Sequence, residues 1–340
     1  MQRANKLQGE PKLNRLPLTL AISEYDQVAD LVNGRVVPEG IDLTWLDLQI
    51  EETHFRAMAY REFDASELSF GKYASLISQG DQSLAAIPVF PLRMARHSSI
   101  YIRRDGPVQK PEDLAGKRIG IPEWAQTASV YSRALLNHIY KIPLSAVEWF
   151  QAGVNDPGRA EKVKLKLPEG VKLTPVPGKS LNEMLISGEI DAAFTAHPPN
   201  SFLRGHPNVR RLFENFVEME KTYIRETGIF PIMHVIAIKR ELLDRNPWVV
   251  MNLFKAFEEA KNRSLERALF VGSRYPIPWS YEYARQAQEL LGKDFWPYGI
   301  EANRVTLDAF LQFAYEQGVC HRRLQPEELF APQVQERFKV

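Results

Sequence analysis

One cysteine, Cys320, stands in a chain of 340 residues. A lone thiol excludes an internal disulfide and any multi-cysteine zinc site, and it fits a reducing compartment. Charge of one sign is also missing. With 43 basic and 42 acidic residues the net charge is +1, so no bulk field draws nucleic acid or an anionic membrane. Any binding of anions must be local. Long hydrophobic runs are absent, and nothing approaches the roughly 18 apolar residues of a membrane span. Residues 16–22 are apolar but carry Pro17 and Thr19 and lead into an acidic segment. No stretch pairs a hydrophobic run with a small-residue cleavage site, so no secretion signal is read and a cytoplasmic protein is expected. The seven histidines form no HxH, HxxxH or HExxH pair, which leaves no local metal-ligand signal. No internal repeat, low-complexity stretch, helix-turn-helix segment or convincing pyridoxal phosphate lysine motif stands out.

The length suggests two compact lobes. Hydrophobic content of 44% and charged content of 25% suit a soluble globular protein. After a polar arm over residues 1–15, strand and helix alternate. Strands are predicted at 18–23, 41–48, 64–70 and 85–90, with helices at 28–31, 51–61 and 71–78. The second strand reads IDLTWLDL, the period of a half-buried strand. This alternation argues for α/β architecture with a largely parallel sheet, whose ligands sit beyond the carboxyl ends of the strands. Tyr25, Ser69 and Arg93 fall at such ends.

Residues 90–105 read FPLRMARHSSIYIRRD. They place Arg93, Arg96 and His97 within five residues, just before a strand-like run. Guanidinium groups hold carboxylates by paired hydrogen bonds, and an imidazole moves protons near neutral pH. The plainer reading is a solvated basic face. A second unit opens at Lys110, with a strand at 118–121 and a helix at 126–140. The start of that helix presents Gln126 and Thr127, which suit an anion or serve as ordinary caps. Residues 164–178 read as a hairpin or paired short strands. His197 follows a strand at 191–195 and is held by Pro198 and Pro199; a solvated loop histidine is the alternative. Gly228 and Pro231 look like a hinge before a strand at 235–239, with His234 at its start or simply in the core. Beyond it the chain is mostly helical, including a helix from Trp248 to residue 269 after Pro247, and Trp248, Phe254, Phe257, Phe310 and Phe313 read as core. The layout is two lobes, one of residues 16–104 and 230–340, the other of residues 105–229, with crossings near 103–108 and 224–232.

Several segments together resemble the 4,5-dihydroxyphthalate decarboxylase family: VNGRVVPEGIDL, FPLRMARHSSIYIRRD, DLAGKRIGIPEWAQTASVYSRALL, AFTAHPP, YIRETGIFPIMHVIAIKREL and FWPYGIEANRVTLDAFLQFAYEQG. The resemblance runs from about residue 18 to 332. The histidine-bearing pieces and WPYGIEANR are its most specific parts. It implies a two-lobed type II periplasmic-binding-protein-like fold with the ligand between the lobes. It also implies a cytosolic carboxy-lyase of phthalate degradation that converts 4,5-dihydroxyphthalate to 3,4-dihydroxybenzoate and carbon dioxide. In that substrate each hydroxyl lies para to a carbon bearing a carboxylate. A base at the hydroxyl, an acid at the ring carbon and cations on the second carboxylate then suffice, with no cofactor and no metal. On this resemblance His97, His197 and His234 handle protons, while Arg93, Arg96 and the helix start at Gln126 and Thr127 grip carboxylate. Trp124 stacks on the ring, and Ser69 or Tyr25 bonds the hydroxyls. The partner expected is a small aromatic carboxylate, without nucleic acid or membrane, in a chain that can form a homo-oligomer. A solute-binding protein of the ABC-transporter type, a relative of thiamine-pyrimidine synthesis proteins and a regulatory effector-binding domain stay open as alternatives.

Overall fold

The computed structural model describes residues 15–335; apart from Arg15, the arm expected at the N-terminus lies outside the described residues. In chain order the first elements are β1 (Leu16–Ala21), α1 (Asp26–Val32), β2 (Ile41–Leu46), α2 (Ile50–Tyr60), β3 (Ala65–Ser69), α3 (Phe70–Ser78) and β4 (Leu84–Ile87). Then come β5 (Ile100–Arg103), β6 (Arg118–Ile121), α4 (Thr127–Ala134), β7 (Glu148–Gly153), β8 (Lys172–Ser180), α5 (Leu181–Ser187), β9 (Ala192–Phe194), α6 (Asn200–Leu203), β10 (Val209–Arg211) and α7 (Phe216–Thr227). The chain closes with β11 (His234–Lys239), α8 (Arg240–Arg245), α9 (Trp248–Ala268), α10 (Ser280–Leu291) and α11 (Arg304–Glu316).

Two mixed sheets make two lobes. The first has the order β2-β1-β3-β11-β4, the second β10-β5-β9-β6-β7-β8. In the first sheet β1 runs parallel to β2 and β3, and β11 returns antiparallel between β3 and β4. Sequence patterning explains the local choices. β1 buries Leu18 and Leu20, and α5 starts on a reciprocal Ser180–Glu183 capping box and stops at Gly188, whose φ of 78° is left-handed.

The first crossing lies earlier than the expected 103–108. β5 pairs with β9 and β10 and so belongs to the second sheet, because the strand-like run after the basic cluster finds antiparallel partners there. The two linking segments run side by side: Met94 N–H donates to Pro231 O at 3.1 Å and Met233 N–H to Leu92 O at 2.8 Å. Residues 164–178 do not form a hairpin, since β8 pairs in parallel with β7. The helix expected over 126–140 is α4 followed by a wider π turn, Leu135–Ile139. Trp248 is not core. It is 40% exposed and caps Gly40, where a Cβ would come within 3.1 Å of its ring.

One apolar core runs through both lobes. α11 packs on α3 of the first lobe and α4 of the second, with Phe310 stacked on Phe70 at 4.6 Å and against Tyr131 at 5.1 Å. No helix among the described residues is long and apolar enough to cross a membrane.

Candidate active site

A cavity of about 510 Å³ lies between the lobes. The carboxyl ends of the parallel strands converge on it, as α/β topology favours. Ser23 and Tyr25 follow β1, residues 47–51 follow β2, and Ser69 closes β3; Gln126 and Thr127 follow β6, Arg159 follows β7, and His197 follows β9. His234 opens β11, whose reversed direction brings its first residue to the same edge.

On the first-lobe wall the register pairs His234 with Ser69 and Ile236 with Glu67, so these four side chains share one face. Glu67 is fully buried. Its carboxylate accepts from His234 Nδ1 at 2.5 Å, from Tyr25 Oη at 2.8 Å and from the Ser23 N–H at 3.2 Å. With Nδ1–H held by the carboxylate, Nε2 of His234 is left for the cavity. Burial, then the Glu67 charge, push the Tyr25 phenol far up, so it stays protonated. His54 of α2 sits edge-on to His234 with ring centroids 4.8 Å apart. Burial, then His234 and Lys72, hold its pKa well below the usual range, so the ring is neutral.

Across the cavity the start of α4 is fastened to the first lobe. Thr127 Oγ1 lies 2.9 Å from Ser69 Oγ and accepts the Gly71 N–H at 2.9 Å. The free N–H groups of a first helical turn there favour negative charge. Arg96 is 3% exposed. It donates to Ser99 Oγ and Met233 Sδ, and burial lowers its pKa to about 10. At the mouth, His197 Nε2 lies 3.4 Å from Glu51 Oε1 of the opposite lobe. The hydrogen bond from His197 outweighs burial and holds Glu51 down at about 2.

Of the residues singled out in the sequence, Tyr25, Ser69, Arg96, Gln126, Thr127, His197 and His234 line this cavity. His97, Arg93 and Trp124 do not. His97 follows Arg96, but a short 3-10 turn, His97–Ser99, sends its ring to the other side of the linker. There it packs edge-on to Phe213 and Tyr223, at 5.1 and 5.7 Å, and burial lowers it to about 4. Arg93 turns away to donate to Phe230 O, Pro297 O and Asn303 Oδ1. Trp124 is fully buried behind the site, with Nε1 donating to Gln317 O at 2.7 Å and Arg133 over its ring at 3.8 Å. It has no free face for a substrate ring.

Glu67, His54, Lys72, Glu51 and Arg159 went unnoticed in the sequence. Glu67 alone left a signal: a carboxylate at the centre of ASELS, a strand whose five residues are all buried, needs a partner. Among the described residues no group of three or more His, Cys, Asp or Glu side chains is arranged to hold a metal ion.

No family model matches the sequence. The chain is 38% identical over 330 residues to the 4,5-dihydroxyphthalate decarboxylase of Comamonas testosteroni, covering 96% of this chain and all of that one. It is 39% identical over 204 residues to the 4,5-dihydroxyphthalate decarboxylase of Pseudomonas putida, across 60% of this chain and 79% of the relative. Among solved structures, the periplasmic aliphatic sulphonate binding protein SsuA from Escherichia coli superposes with a TM-score of 0.53 at 13% identity, over 94% of this chain and 99% of that one. That likeness bears on the fold, which is the two-lobed type II periplasmic-binding-protein-like architecture. The full-length match to a decarboxylase bears on descent: the chain belongs to the 4,5-dihydroxyphthalate decarboxylase family.

Proposed function

We propose that this protein removes one carboxylate from 4,5-dihydroxyphthalate to give 3,4-dihydroxybenzoate and carbon dioxide. The observation that carries the reading beyond family membership is the make-up of the cavity. A carboxylate-held imidazole, His234 with Glu67, stands on one wall, with buried Arg96 and the start of α4 beside it.

The chemistry follows from the ring. Nε2 of His234 takes the proton of a hydroxyl para to the departing carboxylate, while the neighbouring Tyr25 and His54 keep the hydroxyl end of the ring in a polar setting. The oxygen's electron density moves through the ring to the carbon that bears the carboxylate. That carbon takes a proton from His197, at the cavity mouth on the opposite lobe. The bond to the carboxylate then breaks, its electron pair rejoins the ring, and carbon dioxide leaves. The proton on His234 returns to the phenolate oxygen, so the net change is one proton taken up per carbon dioxide released. Arg96 and the N–H groups at the start of α4 hold carboxylate throughout. Groups that move protons in this way each contribute about 10²- to 10⁴-fold.

Incubating the purified protein with 4,5-dihydroxyphthalate tests the reading directly. Stoichiometric carbon dioxide and 3,4-dihydroxybenzoate are expected; tight binding with neither product would return the protein to solute capture. The reading also carries a cytoplasmic location and a place in phthalate degradation, which cell fractionation and growth on phthalate would check.

A further inference from the structure

Two buried cations face the cavity, and neither is fully neutralised. The first is Arg96, which has no carboxylate within ion-pair distance among the described residues and whose Nε is buried without a partner. The second is Lys72, 3% exposed, in the first turn of α3. Its ammonium lies 2.6 Å from Glu123 Oε2, the one carboxylate within ion-pair distance of it among the described residues. Glu123 is fully buried and is shared, because its other oxygen accepts from Arg159 Nε at 2.7 Å. Lys72 and Arg159, which both line the cavity, therefore share the Glu123 carboxylate, with Glu161 and Lys162 adding one charge of each sign nearby.

The placement of Lys72 is built in. Gly71 meets the second lobe backbone to backbone, where a Cβ would come within 2.6 Å of Ala125 O. That approach sets Lys72 on the seam between the lobes, opposite Glu123. An ammonium has three donors, and with one carboxylate partner Lys72 keeps donors for a ligand. A ring that carries two carboxylates can give Arg96 and Lys72 one anionic partner each.

Resting on the decarboxylase reading, we propose that Lys72, set on the seam by the Gly71 approach and paired there with Glu123, is a specificity-determining residue that grips one carboxylate while Arg96 and the start of α4 grip the other. The site thereby selects aromatic rings that carry two carboxylates over rings that carry one. The preference also limits the reaction to one decarboxylation per substrate molecule, since the product keeps one carboxylate and loses half of its grip.

The test measures competitive inhibition by phthalate and by benzoate, which differ by one carboxylate and lack the reacting hydroxyls. Wild-type protein should prefer phthalate by about 30-fold or more, the scale of a buried charge pair. Lys72→Met should bring that ratio to within about 3-fold, while Lys72→Arg, which keeps the charge, should restore part of it. Glu123→Gln should keep the preference, because it frees the ammonium. A ratio unchanged in Lys72→Met would overturn the proposal, and so would equal collapse in Lys72→Met and Glu123→Gln, which would make Lys72 only a strut between lobes. For variants that do not fold, phthalate-dependent protection of wild-type Lys72 from amine acylation, absent with benzoate, gives the same reading; equal protection by both sinks it. A wild-type protein that prefers phthalate yet releases no carbon dioxide from 4,5-dihydroxyphthalate would remove the decarboxylase reading and leave the two-cation site standing.

Discussion

Glu67 and His234 meet across neighbouring antiparallel strands, with Oε1 2.5 Å from Nδ1. Glu67 holds the ring in one tautomer and one orientation and also anchors Tyr25, so it acts on substrate through the groups it positions, His234 first. Replacing the carboxylate by an amide keeps the shape and removes that hold. Glu67→Gln should lower kcat by about 10²-fold, toward the low end of what a positioned proton carrier contributes, with KM little changed. His234→Ala should cost at least as much. Steady-state kinetics decide it, and a Glu67→Gln enzyme with wild-type kcat would take His234 out of the chemistry.

His97 stands among aromatic rings outside the cavity, so its removal should affect the fold before the reaction. His97→Leu should keep turnover within about 3-fold, well short of the loss expected for a proton carrier. Its mark should be on pH dependence. Burial lowers its pKa from 6.5 to about 4 in the folded chain. Between those values the unfolded chain binds the extra proton and the folded one does not, so stability rises with pH there and is lost as pH falls. His54 is depressed too and adds in the same sense. Melting temperature followed from pH 6.5 downward should therefore fall less steeply in His97→Leu than in wild type. A parallel pair of curves would contradict the burial of a neutral ring.

Arg93 and Arg96 are three residues apart and have separate tasks. Arg93 bonds two backbone carbonyls and Asn303 and so fastens the linker to the segment before α11. Arg93→Met takes the donor from Phe230 O and from buried Asn303 Oδ1, while Pro297 O keeps the Asn303 amide, which should cost about 2–3 kcal/mol in denaturant unfolding. Arg96→Met instead removes a cation from the cavity. It should raise KM by about 10-fold or more, with a smaller change in stability. The same effect from both substitutions, whether on KM or on stability, would refute the division.

Much of this is legible in the sequence. The period-2 run of β2 and the strand–helix alternation fixed the class, because burial of one sheet face writes itself into local sequence. Ser69 and Tyr25 are legible because ligands gather where parallel strands end, a rule that also points to Arg93, whereas the role of His234, at the start of its strand, comes with the family resemblance. The failures share one cause, that direction is set by tertiary packing. Arg93, Arg96 and His97 are neighbours in sequence, yet three different surroundings claim them: the WPYG segment, the cavity and an aromatic nest. Lys72 and Glu123 each look like an ordinary surface charge, and 51 positions separate two residues that become a buried pair only when the lobes meet.

That meeting gives the last prediction. Thr127 Oγ1 serves both Ser69 and the Gly71 N–H, and Gly71 has no room for a side chain against Ala125 O. Thr127→Val keeps the shape but strands a buried N–H, at a cost of about 1–3 kcal/mol. Gly71→Ala pushes the two backbones apart, at a similar cost of about 1–3 kcal/mol. The two differ in what they do to the site. Valine leaves the lobes in register, so KM and kcat should move together and modestly. The added methyl displaces the start of α3 and with it Lys72, so it should raise KM for 4,5-dihydroxyphthalate well beyond the valine variant at equal loss of stability. Chemical unfolding matched with kinetics separates them, and equal KM values at equal stability would mean that the seam holds the lobes together without setting the geometry of the cavity.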